Sequence, residues 1–186
     1  MFRNTNQGLS ENLSEKLGRV RVRSNIRKLA NRDFCIIASN CTGTLPYRFL
    51  NIPYNTPTVN LFFFAPCYMK FIQNLEHYLK EPLVFYPTSK YPQGESIRSN
   101  YRHHYPIGTL DDIEVHFMHY ETAAEAKNKW DRRKKRIDPD NLIFAFTDKD
   151  LCTPALLEEF DALPYANKYV LTAKKWPQLK LSLIHI

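Results

Sequence analysis

The residues best equipped for chemistry in this chain stand where apolar runs stop. The stretch CIIASNCTG, residues 35–43, passes from a continuous apolar run into Ser39, Asn40, Cys41, Thr42 and Gly43. A thiol at the start of a helix can have a lowered pKa and act as a nucleophile. Asn40 and Thr42 offer donors and acceptors to a ligand, and Gly43 permits close backbone approach. The same residues are equally able to cap the next helix while the thiol packs as a small hydrophobe.

Three further stretches carry chemistry. EVHFMHY places His116 and His119 three residues apart. On a strand that spacing puts them on opposite faces, which argues against a shared metal and for one buried and one strand-end histidine. His119 is the candidate general acid or base, because imidazole titrates near neutrality, with His116 and Tyr120 lining the same pocket. KWDRRKKRI supplies Arg132 and Arg133, either of which could grip a phosphate or carboxylate. Trp130 on the same helix is read as its anchor in the core, and the remaining charges as a solvated face. FAFTDKDLCT ends a strand with Thr147, Asp148 and Asp150, and a carboxylate at such an end can orient a base, hold a metal or bind sugar hydroxyls. Asp148 is the candidate catalytic carboxylate.

These residues need elements that bring them to one rim. Cys35–Ala38 has the profile of a central strand covered on both faces. The pattern that follows predicts a short helix at 43–51, a turn and strand at 54–63, and one helix over 65–80. A strand at 82–87 and a polar loop at 89–104 come next. Two strands joined by Asp111 and Asp112 follow, the second alternating to His119. A helix at 121–137, a strand at 141–147, a helix capped by Thr153 and a strand at 168–173 complete the series. Helices between apolar strands mean an α/β sheet, with ligands gathering at the carboxyl ends of strands.

Composition narrows the classes. Of the net charge of +7, residues 1–33 contribute eight basic and three acidic side chains, +5, and residues 34–186 only +2. Nucleic-acid binding across the folded body is thereby disfavoured. The basic segment reads as an amphipathic helix, with Leu17, Val20, Ile26 and Leu29 among Arg19, Arg21, Arg23, Arg27 and Lys28. Such a helix either attaches peripherally to an anionic membrane or docks on the domain with its charges in water. The four cysteines form no CxxC pair and read as reduced cytosolic thiols, and no apolar run spans a bilayer. No GxGxxG or Walker-type loop is present, so dinucleotide and P-loop nucleotide binding are disfavoured, and the residues do not define a cofactor or a metal requirement. The organisation expected is a basic arm at 1–33, one α/β domain at 34–180, and a non-native tail at 181–186. The tail LSLIHI has a back-translation that matches a transposase end used in preparing sequencing libraries, which would make the chain a fragment and leave His185 without a role.

Together, SNC.G, YNTPTVNLF, YPIG.L.DIEVHF.HY, A...W..R..RI, NLIF.F.D...CT and F..LPY.NK...TAK resemble the bacterial domain of unknown function 1919 family. Its members are commonly labelled exopolysaccharide biosynthesis proteins. The resemblance runs from about Phe34 to Lys175 and carries over Asn40, Cys41, Gly43, Asn55, Thr56, Pro57, His116, His119, Tyr120, Trp130, Arg133, Asp148 and Cys152. Thr42 departs from it, standing where members often have an aromatic residue or glycine. It implies a three-layer α/β/α sandwich around a mixed, mostly parallel sheet, and a place in polysaccharide gene clusters. The expected function is a transferase or hydrolase acting on a glycan precursor, with His119, Cys41 and Asp148 catalytic. Asn40, Gly43, Asn55, Thr56, His116, Tyr120, Arg132 and Arg133 would bind the substrate. The alternative is a non-catalytic glycan-binding or scaffold protein of a synthesis complex, cytoplasmic or peripheral at the inner membrane face.

Overall fold

The computed structural model describes residues 33–177, 179, 180 and 182–185; the basic arm, residues 1–32, lies outside them. Two sheets form the frame. β1 (Cys35–Ala38), β5 (Leu142–Thr147), β6 (Lys168–Thr172) and β7 (Ser182–His185) make a parallel sheet in the order β1-β5-β6-β7. β2 (Val84–Tyr86), β3 (Ile107–Leu110) and β4 (Ile113–His116) make an antiparallel one. Asp111 turns the β3–β4 hairpin with φ 52°, a left-handed conformation that Asp adopts more readily than most residues.

Residues 61–64 join the sheets. Phe62 and His116 exchange both backbone hydrogen bonds at 2.9 Å, and Phe63 N–H donates to Ser39 O at 2.8 Å beyond the end of β1. Alternation then sorts the side chains. Ile37, Phe63, Val115, Phe144 and Phe146 face one core. Ile36, Ala38 and Ala145, with Phe62 and Phe64, face the other way.

Helices cover both faces, giving an α/β/α sandwich. α2 (Ala65–Gln73), α3 (Leu75–Lys80), α5 (Ala123–Lys134) and α6 (Pro154–Ala162) pack on the first face through Phe71, Tyr78, Trp130 and Phe160. α1 (Leu45–Leu50) covers the second through Tyr47, and α4 (Pro92–Ser99) through Ile97. Thr153 caps α6 by accepting from Leu156 N–H at 3.3 Å, with Pro154 at the first helical position.

Several expectations are corrected. The helix over 65–80 is two, because Asn74 leaves helical geometry at φ −130°, ψ 48°. The strand expected in 54–63 reduces to the Phe62 bridge, and β4 stops at His116 rather than reaching His119. The polar loop at 89–104 contains α4, whose only large aliphatic residue is Ile97, too few for an apolar period to show. Ser182–His185, within the stretch read as a non-native tail, forms β7, paired to β6 from Tyr169↔Ser182 to Thr172↔His185; the pairing does not bear on the origin of that stretch.

Candidate functional site

The loop after β1 is built around the Asn40 side chain. Its backbone is extended, and Oδ1 accepts from Thr42 N–H at 3.1 Å and Thr42 Oγ1 at 2.7 Å, which starts the 3-10 turn Cys41–Thr44. Nδ2 donates to Thr147 Oγ1 at 3.3 Å, tying the carboxyl end of β1 to that of β5. Past Thr147 the chain turns sharply. Asp150 and Leu151 both take left-handed conformations, φ 56° and 66°, and Asp150 O accepts from Ala65 N–H at the start of α2. Two successive non-glycine residues held this way store strain of the kind that gathers at functional sites.

The residues after β4 close the third side. His119 N–H donates to Asn60 O at 3.2 Å, and its Nδ1 lies 2.9 Å from the Tyr101 hydroxyl. Among the described residues Nε2 has no hydrogen-bond partner. Asn40, Cys41, Thr42, His119 and Asp150 then border one cavity of about 190 Å³, walled by Leu61, Phe62, Ile97 and Met118. It lies at the carboxyl ends of β1 and β5, where α/β sheets place ligands.

Electrostatics separates the groups. Partial burial, with Arg102 and His103 nearby, lowers the His119 pKa, so its imidazole is neutral at neutral pH. Burial raises the Asp150 carboxyl, only partly offset by Asn40, Lys149 and His116. Burial raises the Cys41 thiol as well; a hydrogen bond to its own backbone offsets part of this, and Asp150 adds to it. This corrects the expectation of an activated nucleophile: a short 3-10 turn does not overcome desolvation and a neighbouring carboxylate. Cys41 is a protonated thiol in the cavity wall.

The structure brings Asn40, Cys41 and His119 together and places the other candidates elsewhere. Arg133 is buried on α5, where Nη1 donates to Tyr120 Oη at 2.5 Å and the guanidinium lies 5.3 Å from the Tyr54 ring centre. Tyr120 Oη donates onward to Val59 O, so this pair braces the core instead of lining the cavity. Arg132 points to solvent. Thr56 supports Thr58, whose hydroxyl accepts from Ala38 N–H at 3.1 Å and donates to Ile36 O at 3.2 Å. Thr58 thus takes the place of a neighbouring strand along the edge of β1. Asn55 sits half-buried between Tyr54 and Thr56, outside the cavity. A Cβ on Gly43 would overlap that of Ala38, so its close approach is to β1 and not to a ligand.

Asp148 accepts from Ala173 N–H at 3.0 Å and from Trp176 Nε1 at 3.4 Å, securing the chain beyond β6. The carboxylate at the cavity is Asp150. His116 is fully buried and stacked on Phe62, 4.4 Å between ring centres, with Nε2 2.7 Å from Glu114 Oε1. Glu114 also accepts from Ser89 Oγ at 2.5 Å and Lys90 N–H at 2.8 Å. Sequence reasoning missed this buried network and the cavity walls Ile97 and Met118. The alternation of Glu114 and His116 along one strand was the available signal.

A broader hollow of about 530 Å³ lies at the α2–α3 junction, but Glu76 and Lys80 on its rim pair with each other at 2.6 Å. Size alone does not make it the site. No three His, Cys, Asp or Glu side chains among the described residues are grouped to hold a metal ion. Among the described residues no helix is long and apolar enough to cross a membrane.

Fold and cavity define an α/β sandwich protein with a cavity bordered by His119 and Asp150 at the strand ends of its parallel sheet. The chain belongs to the DUF1919 family, a domain of unknown function, whose model matches residues 14–186. It is 38% identical over 154 residues to an uncharacterized protein of Haemophilus influenzae, covering 83% of this chain and 68% of that protein.

Proposed function

We propose that the protein processes a glycan precursor in exopolysaccharide or capsule assembly, as a transferase or hydrolase working by general acid–base catalysis at the strand-end cavity. One observation carries the chemistry. His119 and Asp150 share a cavity; its surroundings lower the imidazole, leaving a neutral ring able to accept a proton, and raise the carboxyl, which keeps its proton to higher pH than a free aspartate. Neutral His119 would take a proton from a substrate hydroxyl through Nε2, while Tyr101 fixes the ring through Nδ1. Asp150 would orient or protonate the departing group. The glycan assignment rests on the family resemblance, and a cytoplasmic location belongs to the same reading.

A non-catalytic glycan-binding or scaffold role is the second reading. It is favoured by the way Asn40 and Thr42 bond mainly to each other and to Thr147, leaving few polar groups for a substrate. Cells lacking the gene, complemented with His119→Gln or Asp150→Asn, separate the two. Polysaccharide output should fall at least tenfold with either variant while the protein level is unchanged. Output at the wild-type level with both variants would eliminate acid–base catalysis.

A further inference from the structure

We propose that the strand-end cavity seats a short acyl group, such as acetyl, carried on the substrate's sugar, while the sugar ring stays at the cavity mouth. The inference rests on the reading above only in taking the substrate for a glycan. Size is the first constraint. At about 190 Å³ the cavity is smaller than the ~300 Å³ from which drug-sized ligand sites begin, so it holds one small group and not a run of sugars.

The lining decides which group. Leu61, Phe62, Ile97 and Met118 make the walls, and their side chains offer at most the weak acceptor of a thioether. Phe62 is held by its stack on His116, whereas Met118 can adapt its shape to a guest. The polar border is largely spent on itself. Asn40 Oδ1 accepts from both Thr42 N–H and Thr42 Oγ1, which uses the hydroxyl proton, and Nδ2 donates to Thr147. What remains is His119 Nε2 and the Asp150 carboxyl, which has capacity beyond its contact with Asn40.

Two free polar functions against four apolar walls are a poor match for a bare sugar. Hydroxyls stand all round a hexose ring, and each one pressed against such a wall loses its water without gaining a partner. A phosphate or carboxylate would lose more, and among the described residues no Lys or Arg lines the cavity. An acyl group inverts the ratio: its alkyl end meets the walls, and its single carbonyl oxygen needs one donor. Asp150 supplies that donor while it is protonated, and its carboxyl keeps the proton to higher pH than a free aspartate does. His119 Nε2 is then left for a neighbouring hydroxyl.

The test is a titration of the full chain, isotope-labelled at its methionine methyls and followed by NMR. Met118 reports on the cavity, and Met69, buried in α2, is the control. The ligands are glucose, methyl glucoside, N-acetylglucosamine and glucose acetylated at its primary hydroxyl. The two acetylated sugars are expected to shift Met118 and not Met69, and to bind about tenfold or more tightly than the other two. Ile97→Asn, and Ile97→Trp, which fills the space, should each erase most of that preference; Ile97 is only half-buried, and an unchanged melting curve verifies the fold. The proposal is overturned if glucose or methyl glucoside binds as tightly as the acetylated sugars, if no sugar shifts Met118, or if a folded Ile97 variant keeps the preference. Acid–base catalysis is judged apart from this: a His119→Gln protein that still prefers acetylated sugars, yet restores polysaccharide output in full, would uphold the acyl seat and refute the catalytic reading.

Discussion

Glu114→Ala should be among the most damaging single substitutions in this fold, and its cost can be built up from its partners. The carboxylate is 2% exposed and accepts from three donors: His116 Nε2, Ser89 Oγ and Lys90 N–H. His116 is fully buried, so losing its acceptor leaves a dry donor at ~1–3 kcal/mol, while Ser89 and Lys90 can turn to water at ~0.5–1.5 kcal/mol each. The sum is about 2–6 kcal/mol, and its middle lowers the melting temperature by about 10 °C for a chain of this size.

Sign follows from the titration. Burial raises the Glu114 pKa, but hydrogen bonds from His116, Ser89 and Lys90 outweigh it, so the folded value lies below that of a free glutamate. Its stabilisation is therefore complete above the unfolded value and disappears as pH falls through the folded one. Urea unfolding followed by circular dichroism, at neutral pH and again well below ~4, should show the wild-type advantage shrinking in acid. A loss under ~1 kcal/mol at neutral pH, or a gap that acid leaves unchanged, would refute the network as the cause.

Gly94→Ala in α4 should destabilise by ~1–3 kcal/mol in urea although alanine favours helices, because a Cβ there would overlap Ser89 Oγ and crowd His116. Thr58→Val should cost ~2–4 kcal/mol in the same measurement, since it strips the edge of β1 of a donor to Ile36 O and an acceptor for Ala38 N–H. Asp150→Asn should raise stability as pH climbs above the ordinary aspartate range. The folded pKa is raised, so ionising the wild-type carboxyl costs stability as pH passes through that value; a melting-temperature advantage of the variant over the wild type that is no larger at pH ~7 than at pH ~4 would contradict this. Cys41 should react with iodoacetamide more slowly than a free thiol at neutral pH, and faster in Asp150→Asn; mass spectrometry of the alkylated peptide reads both rates.

Much of the frame was legible because few forces compete within it. Cys35–Ala38 and Leu142–Thr147 are apolar on both faces, and only a sheet covered on both sides accommodates them. The cap at Thr153 with Pro154 marks a helix start by local chemistry alone. α4 was hidden because its place is set by a tertiary fit, with Gly94 admitted between Ser89 and His116. The strand expected at 54–63 failed for a related reason: Thr56 and Thr58 spend their hydroxyls on the edge of β1, so side chains do what a paired strand would otherwise have done.

At the site, residue type located the rim but not the partition among neighbours. Asp148 and Asp150 are two apart at the end of one strand, and in extended chain they would share a face. The left-handed turn at 150 and 151 breaks that symmetry, sending one carboxylate to Ala173 and Trp176 and the other to the cavity. Nothing in the local sequence requires it, because the turn is held by Ala65 N–H from α2, far along the chain. The two histidines illustrate the opposite case. Their separation falls across the end of β4, so pleat alone sends His116 inward to Glu114, while chain reversal sets His119 on the rim. Sequence period therefore assigns side chains within elements, and the contacts that bend the chain between elements decide which of them meet a ligand.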